Sequence, residues 1–379
     1  MKIAVLISSL RCGGTERTVS LLANAWTECG HAVEIITLSA KDVAPFFPLD
    51  ARIQHRALDL QFSSATKIHG LFNNLRRIRI IRSAFQQSKP DIIVAFMEGT
   101  TALAVLAARG LRTPVMLSEV AVPAVQSGSW FWNQVRKIIY PHSAGLIVPS
   151  RGVQNYFVEE LHLPCEVIPN PVAVPARRRE STTDGQKLIA VGRLSPEKGF
   201  DLLLRAFVRI HAAHPQTTLS IFGEGPLHDE LIRLRDSLGL QDFVHFPGTS
   251  KDLAQELAKA DIFVLSSKYE GFGNVLCEAM AVGLPVVSFD CPTGPREIIR
   301  HGIDGVLVEP DNVEKLAAAV GDLLSNRKLR SELSERAPEI LQRLGLPRIS
   351  AEWQVRLARA CGQTGDASDA GPMNTRAVL

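Results

Sequence analysis

Cysteine is scarce in this 379-residue sequence and never paired at short spacing. Cys12, Cys29, Cys165, Cys277, Cys291 and Cys361 are scattered, with no CxxC and no histidine partner at metal-ligand spacing. That excludes a zinc or iron–sulfur site and fits reduced thiols in a cytosolic protein. The histidines form no HxxxH or HExxH, and no Ser–His–Asp arrangement is visible. A GxGxxG turn is missing after the first strand, which argues against a nicotinamide cofactor. No apolar run approaches the length of a membrane span. The opening "MKIAVLISSLRCGG" lacks a small-residue cleavage site, so it reads as a strand entering a glycine turn rather than as a signal peptide.

What is present is core material: 46% of residues are apolar and 21% charged, as in a soluble globular protein. The length predicts two domains of similar size. The net charge of +3 hides a local excess in residues 51–140, where twelve Lys and Arg face four Asp and Glu. A local anionic partner is expected there, and no nucleic acid.

Strand and helix patterns alternate along the whole chain. "KIAVLIS", "AVEIITL", "PDIIVAF", "PVMLSE", "AGLIVPS" and "EVIPN" read as strands, with helical patterns between them. The proline-rich, charged stretch 171–186 breaks the pattern, which restarts at "KLIAVGR" and continues through "TLSIFGEG", "FVHFPG", "DIFVLSS", "PVVSF" and "GVLVE". Such alternation predicts two doubly wound Rossmann-like α/β domains, 1–170 and 171–346, facing a central cleft, with ligands at the carboxyl ends of strands. A helix near 347–361 is expected to join the first domain. Residues 362–379 lack periodicity and read as a disordered tail.

Chemistry concentrates where predicted strands end. "SSLRCGGTERT" (8–18) is a glycine turn before a helix. It suits a phosphate at the helix N-terminus, or serves only as a tight turn. "VGRLSPEKGFDLLL" (191–204) sets Arg193 just past a strand and Lys198 five residues on. A fork-shaped guanidinium and a point charge can clamp a diphosphate; the plain alternative is two solvated loop cations. "FGEGP" (222–226) and "CPTGPREII" (291–299) are further strand exits, with capping the default for Thr293 or Glu297.

"YEGFGNVLCEAMAVGLPVV" (269–287) raises the sharpest question. It reads as a loop, a helix that Asn274 can cap, and a strand buried on both faces. Glu270 stands on the turn, and Glu278 is two turns into the helix among Cys277, Ala279, Met280 and Ala281. An unpaired charge there is costly, so Glu278 needs a buried partner or a polar ligand. Backbone N–H groups around Phe272 and Gly273 suit phosphate and sugar hydroxyls, and carboxylates accept hydrogen bonds from such hydroxyls.

Glu270-x7-Glu278, reinforced in order by "GGTER", "GRLSPEKG" and "GPREII…G…GVLV", resembles the retaining glycosyltransferases of family 4, which have the two-domain GT-B fold. The resemblance extends to about residue 360. It implies that Arg193 and Lys198 bind the donor's diphosphate and that Glu270 meets the transferred sugar, these three being the catalytic set. Glu278 would hold the ribose hydroxyls, while Phe272, Gly273 and Asn274 offer contacts to sugar and phosphate. Gly14 would close over the phosphates. It also implies no metal and no cofactor beyond the nucleotide-sugar substrate, because Arg and Lys replace the cation. Attack on the retained face, with the leaving phosphate taking the proton, needs no separate base.

Many relatives place a histidine after the strand read here as "PVMLSE"; this chain has Glu119 near that position and no histidine. "VAFMEGTTALAVLAARG" and "CPTGPREII" are similar to a bacterial subgroup that extends lipid-linked oligosaccharides for exopolysaccharide, O-antigen or protein glycans, often from UDP-N-acetylhexosamines or UDP-galactose. The expected partners are therefore a UDP-sugar donor, a lipid-linked saccharide acceptor and an anionic membrane surface. The basic helical pattern 67–85, with Arg76, Arg77, Arg79 and Arg82, and "WFWNQVRKIIY" (130–140), with Arg136 and Lys137, are the candidate acceptor and membrane patch. The protein is then expected in the cytoplasm, peripheral on the inner face of the cell membrane. A 2-epimerase acting on UDP-sugars, or a non-catalytic two-domain sugar-nucleotide binder, are the alternative readings.

Overall fold

Short apolar runs, too short for buried helices, form the central strands. In the computed structural model, residues 1–60, 67–120, 129–177 and 186–363 are described. They divide into two compact units, one of Met1–Pro171 with the stretch from Leu346 onward, the other of Val172–Gly345. The expected linker falls partly, and the expected tail almost wholly, outside the described residues.

The first unit is a seven-stranded sheet, parallel throughout. Its strands are β1 (Lys2–Ile7), β2 (Ala32–Thr37), β3 (Gln54–Ala57), β4 (Ile92–Phe96), β5 (Val115–Ser118), β6 (Gly145–Val148) and β7 (Glu166–Val167). Their order is β3-β2-β1-β4-β5-β6-β7, so the winding reverses between β1 and β4. The connecting helices are α1 (Gly14–Glu28), α2 (Lys67–Ser88), α3 (Thr100–Ala108), α4 (Ser129–Ile139) and α5 (Arg151–Asn155). Successive strand residues point to opposite faces, and β1 feeds two cores accordingly. Ala4 and Leu6 pack with Ile81 and Phe85 of α2, while Ile3, Val5 and Ile7 pack with Leu22 and Trp26 of α1.

The second unit repeats the plan with six parallel strands in the order β10-β9-β8-β11-β12-β13. They are β8 (Lys187–Val191), β9 (Thr218–Phe222), β10 (Val244–Gly248), β11 (Ile262–Leu265), β12 (Val286–Phe289) and β13 (Val306–Val308). Its helices are α6 (Phe200–Ala213), α7 (His228–Ser237), α8 (Leu253–Ala258), α9 (Asn274–Val282), α10 (Pro295–Ile298), α11 (Val313–Ser325), α12 (Arg327–Arg336) and α13 (Ile340–Leu344). The winding reverses between β8 and β11, and these two strands carry the loops of interest. The chain then returns to the first unit as α14 (Leu346–Ala360), whose Trp353 packs against Trp26 and Phe96.

The departures from expectation are local. β3 is an edge strand, "QHRA", whose polar, partly exposed residues carry no apolar signal. The pattern "RGVQNYFVEEL" is not one α-helix, since α5 passes into a π-helical turn over Tyr156–Glu160.

Candidate functional site

Four loops leave the carboxyl ends of β8, β9, β11 and β12, and backbone contacts tie them together. The β8 loop bonds to the β9 loop through Leu194 N–H to Glu224 O at 2.9 Å. It bonds to the β11 loop through Lys268 N–H to Glu197 O at 2.8 Å and Ser266 Oγ–H to Lys198 O at 2.9 Å. Gly199, at φ 59°, lets this crossing happen: a Cβ there would stand 2.2 Å from Ser266 O. Gly294, at φ 95°, does the same for the β12 loop, where a Cβ would stand 2.1 Å from Phe272 O. Only glycine accepts both the backbone angle and the close approach.

At this junction Lys198 Nζ donates to Glu270 Oε1 at 2.6 Å, and Ser267 Oγ donates to the same oxygen at 2.7 Å. The Thr293 hydroxyl donates to the Glu270 carbonyl, fixing the turn from behind. The Lys198 and Glu270 side chains are only 19% and 9% exposed, so the pair is largely withdrawn from water. Arg193 of the same β8 loop is exposed, and among the described residues its guanidinium has no ion pair. Cys291 lies close by, but burial first and the Glu270 carboxylate second push its thiol up to about 12. It stays protonated and is no nucleophile.

The start of α9 corrects one expectation. Asn274 does not cap the helix; Gly273, at φ 113°, holds the N-cap position, and Asn274 is the first helical residue. Phe272 is buried beneath the turn. Glu278 is half-buried, while its helix neighbours Cys277, Ala279, Ala281 and Val282 are buried.

In the first unit, α1 begins at Gly14, which is exposed, with Gly13 at the N-cap. Gly13 has extended backbone, and the space its missing Cβ leaves is filled by Glu16, whose Oε2 would stand 2.1 Å from such a carbon. Burial pushes the Glu16 carboxyl above its usual range.

The four arginines of α2 are not alike. Arg76 and Arg79 are exposed. Arg77 Nε donates to Leu60 O at 3.0 Å. Arg82 Nη1 donates to Ala107 O at 3.1 Å and Arg109 O at 2.5 Å, closing the C-terminus of α3. Arg136, read in the sequence as a cation of the surface patch, is 2% exposed and pairs with Glu98. The sequence offered no signal for that pairing. Glu119 is buried as well, accepting from the hydroxyls of Tyr140 and Thr101. Burial pushes its carboxyl up, partly opposed by Arg136. Among the described residues no group of three or more His, Cys, Asp or Glu is placed to hold a metal.

Residues 176–340 match the family described as "Glycosyl transferases group 1", and residues 13–171 match "Glycosyl transferase 4-like domain". An exopolysaccharide phosphotransferase of Streptomyces coelicolor is 30% identical over 388 residues, covering 93% of this chain and 40% of that protein. The chain thus spans less than half of that relative's length. A Campylobacter jejuni protein, GalNAc-alpha-(1->4)-GalNAc-alpha-(1->3)-diNAcBac-PP-undecaprenol alpha-1,4-N-acetyl-D-galactosaminyltransferase, is 27% identical over 361 residues, covering 94% of this chain and 98% of that one. The solved structure of Anabaena HepE in complex with UDP and glucose has a TM-score of 0.76 at 21% identity, covering 94% of this chain and 99% of that one. That likeness shows a shared fold.

Proposed function

Because this chain belongs to the GT-B glycosyltransferases of the family 4-like kind, we propose that it moves a sugar from a UDP-hexose or UDP-N-acetylhexosamine to a lipid-linked saccharide in bacterial polysaccharide or glycan assembly. The observation that carries the reading is the withdrawn Lys198–Glu270 pair, with Arg193 exposed on the same β8 loop and without an ion pair among the described residues. Arg193 and Lys198 meet the donor diphosphate and stabilise the charge that grows on it as the glycosidic bond breaks. Glu270, oriented by Lys198 and Ser267, faces the transferred sugar. The departing diphosphate takes the proton of the attacking hydroxyl, so the new bond forms on the face the old one leaves. Phe272, Gly273 and Asn274 contact the donor from the α9 turn, and Glu278 accepts from the ribose hydroxyls. No resident metal or cofactor is needed, and transfer persists in a chelator.

The named activity of the Campylobacter relative supports the acceptor class, and the UDP and glucose bound by HepE support the donor class. A position on the inner face of the membrane follows from such an acceptor. It is supported by Phe72, Leu75, Trp130, Phe131 and Ile138, all exposed, and by the exposed cations Arg76, Arg79 and Lys137 of the same two helices. No described helix is long and apolar enough to cross a membrane.

The decisive experiment offers radiolabelled UDP-sugars to the protein with a lipid-linked saccharide extract. Incorporation into lipid is expected from one or two donors. Incorporation from none, with UDP binding absent by calorimetry, removes the reading. Glu278→Gln is expected to weaken UDP-sugar affinity more than it slows saturated turnover.

A further inference from the structure

The first unit holds a charged cluster that the transfer scheme above does not use. Arg136 of α4 is 2% exposed, yet its Nη2 reaches Glu98 Oε1 at 2.8 Å and its Nη1 donates to Asn133 Oδ1 at 3.0 Å. Asn133 is held in turn by its amide donating to Tyr156 Oη at 3.0 Å. Arg136 Nε stands 3.9 Å from Glu119 Oε1 and is a buried donor with no hydrogen-bond partner. A buried ion pair is a poor source of stability compared with apolar packing, so its use here calls for another reason. What it supplies is orientation: the guanidinium is held by Asn133 on one side and presents Glu98 on the other.

Glu98 is the unusual member. Its side chain is 27% exposed, whereas Arg136 and Glu119 are sealed. It follows β4, the strand at which the winding of the first sheet reverses, where α/β sheets take their ligands. The backbone there is strained. Met97 has φ 74° and Gly99 has φ 85°, so two left-handed residues bracket Glu98 just before α3 begins. Left-handed backbone at a residue other than glycine persists where the surroundings over-determine it, and such strain gathers at ligand sites.

We propose that Glu98, positioned by Arg136, accepts hydrogen bonds from hydroxyls of the acceptor saccharide and is a specificity-determining residue for it. This rests on the transferase reading. The charge favours hydroxyls over phosphate: two carboxylates against one guanidinium repel an anion, while the lone pairs that Arg136 leaves open accept O–H donors. Arg136 and Asn133 are positioning residues, since they touch Glu98 and not the sugar.

The test uses the full chain with UDP bound and a panel of methyl glycosides of glucose, galactose and their N-acetylamino forms. Binding is read by saturation-transfer NMR, and UDP affinity separately by calorimetry. For at least one glycoside, Glu98→Gln is expected to weaken binding at least tenfold with UDP affinity unchanged, and Glu98→Asp to recover part of it. Glu159→Gln, an exposed change on the π-helical turn of the same unit, serves as the control and leaves both untouched. Arg136→Lys, which keeps the charge but loses the fork, is expected to act like Glu98→Gln. Equal glycoside binding by wild type and Glu98→Gln, or no glycoside binding by a wild type that binds UDP, overturns the proposal. Absence of UDP binding in the wild type overturns it together with the reading of the second unit.

Discussion

Lys198 and Glu270 are 72 residues apart in the chain, yet their Nζ and Oε1 atoms lie 2.6 Å apart. Each is the other's charged partner, so neither can be altered without disturbing both. Lys198→Ala or Glu270→Gln is expected to lower turnover about a hundredfold, equivalent to about 3 kcal/mol in the barrier. The double variant is expected to lose little more than either single one, because the pair acts as a unit. Steady-state kinetics on the folded variants checks this; near-normal rates in both single variants reject the pair as catalytic.

Two glycines separate backbone strain from backbone collision. Gly302, at φ 74°, has nothing within 4 Å of the place an alanine methyl would take, so Gly302→Ala carries only the left-handed penalty of roughly 1–2 kcal/mol. For Gly294→Ala the same penalty is joined by a methyl 2.1 Å from Phe272 O. At about 2–4 °C per kcal/mol, Gly302→Ala lowers Tm by several degrees. Gly294→Ala is expected to lower it distinctly further and to abolish UDP binding. Equal Tm values for the two variants contradict this account.

Glu16 supplies a pH signature. Burial raises its carboxyl pKa in the folded state, so the folded chain binds more protons than the unfolded one between about 4.5 and that raised value. Stability from this group is therefore fully present below 4.5 and falls as pH rises through the folded pKa. Glu16→Gln removes the charge and the loss. Its Tm is expected to exceed that of wild type near neutral pH, the difference shrinking as pH drops below 4.5. A gap that widens with acid reverses the sign and refutes the argument.

The basic helix α2 is expected to split into structural and peripheral arginines. Arg82→Gln loses two backbone partners at the end of α3 and is expected to cost about 1–2 kcal/mol of stability. Arg79→Gln changes stability by less than about 0.5 kcal/mol. It is expected to weaken binding to anionic liposomes by about 1 kcal/mol, roughly fivefold. Sedimentation with vesicles of defined charge, at two salt concentrations, tests it; liposome binding that ignores both salt and Arg79 ends the membrane proposal.

The α/β architecture was legible because a strand buried on both faces must be apolar, and "KIAVLI", "IIVAF" and "VVSF" are. β3 was not, because an edge strand needs no such composition. Among the candidate groups, Lys198 and Glu270 were visible through their place just past strand ends, while the bond between them depends on how two loops cross. Arg136 misled for a specific reason: on an amphipathic helix a cation reads as solvated, and only a distant carboxylate, Glu98, reverses that. Glu278 misled the other way: it is only half-buried although Cys277, Ala279, Ala281 and Val282 around it are buried.

The return of α14 to the first unit has a consequence for biosynthesis. Trp26 and Phe96 are made early, but the Trp353 that covers them is synthesised only after all of the second unit. On the ribosome the first sheet must wait, with the surface around Trp26 and Phe96 uncovered, while the inserted unit emerges and folds. A nascent chain halted before residue 346 would therefore present sticky apolar surface to chaperones, however complete its first sheet might be.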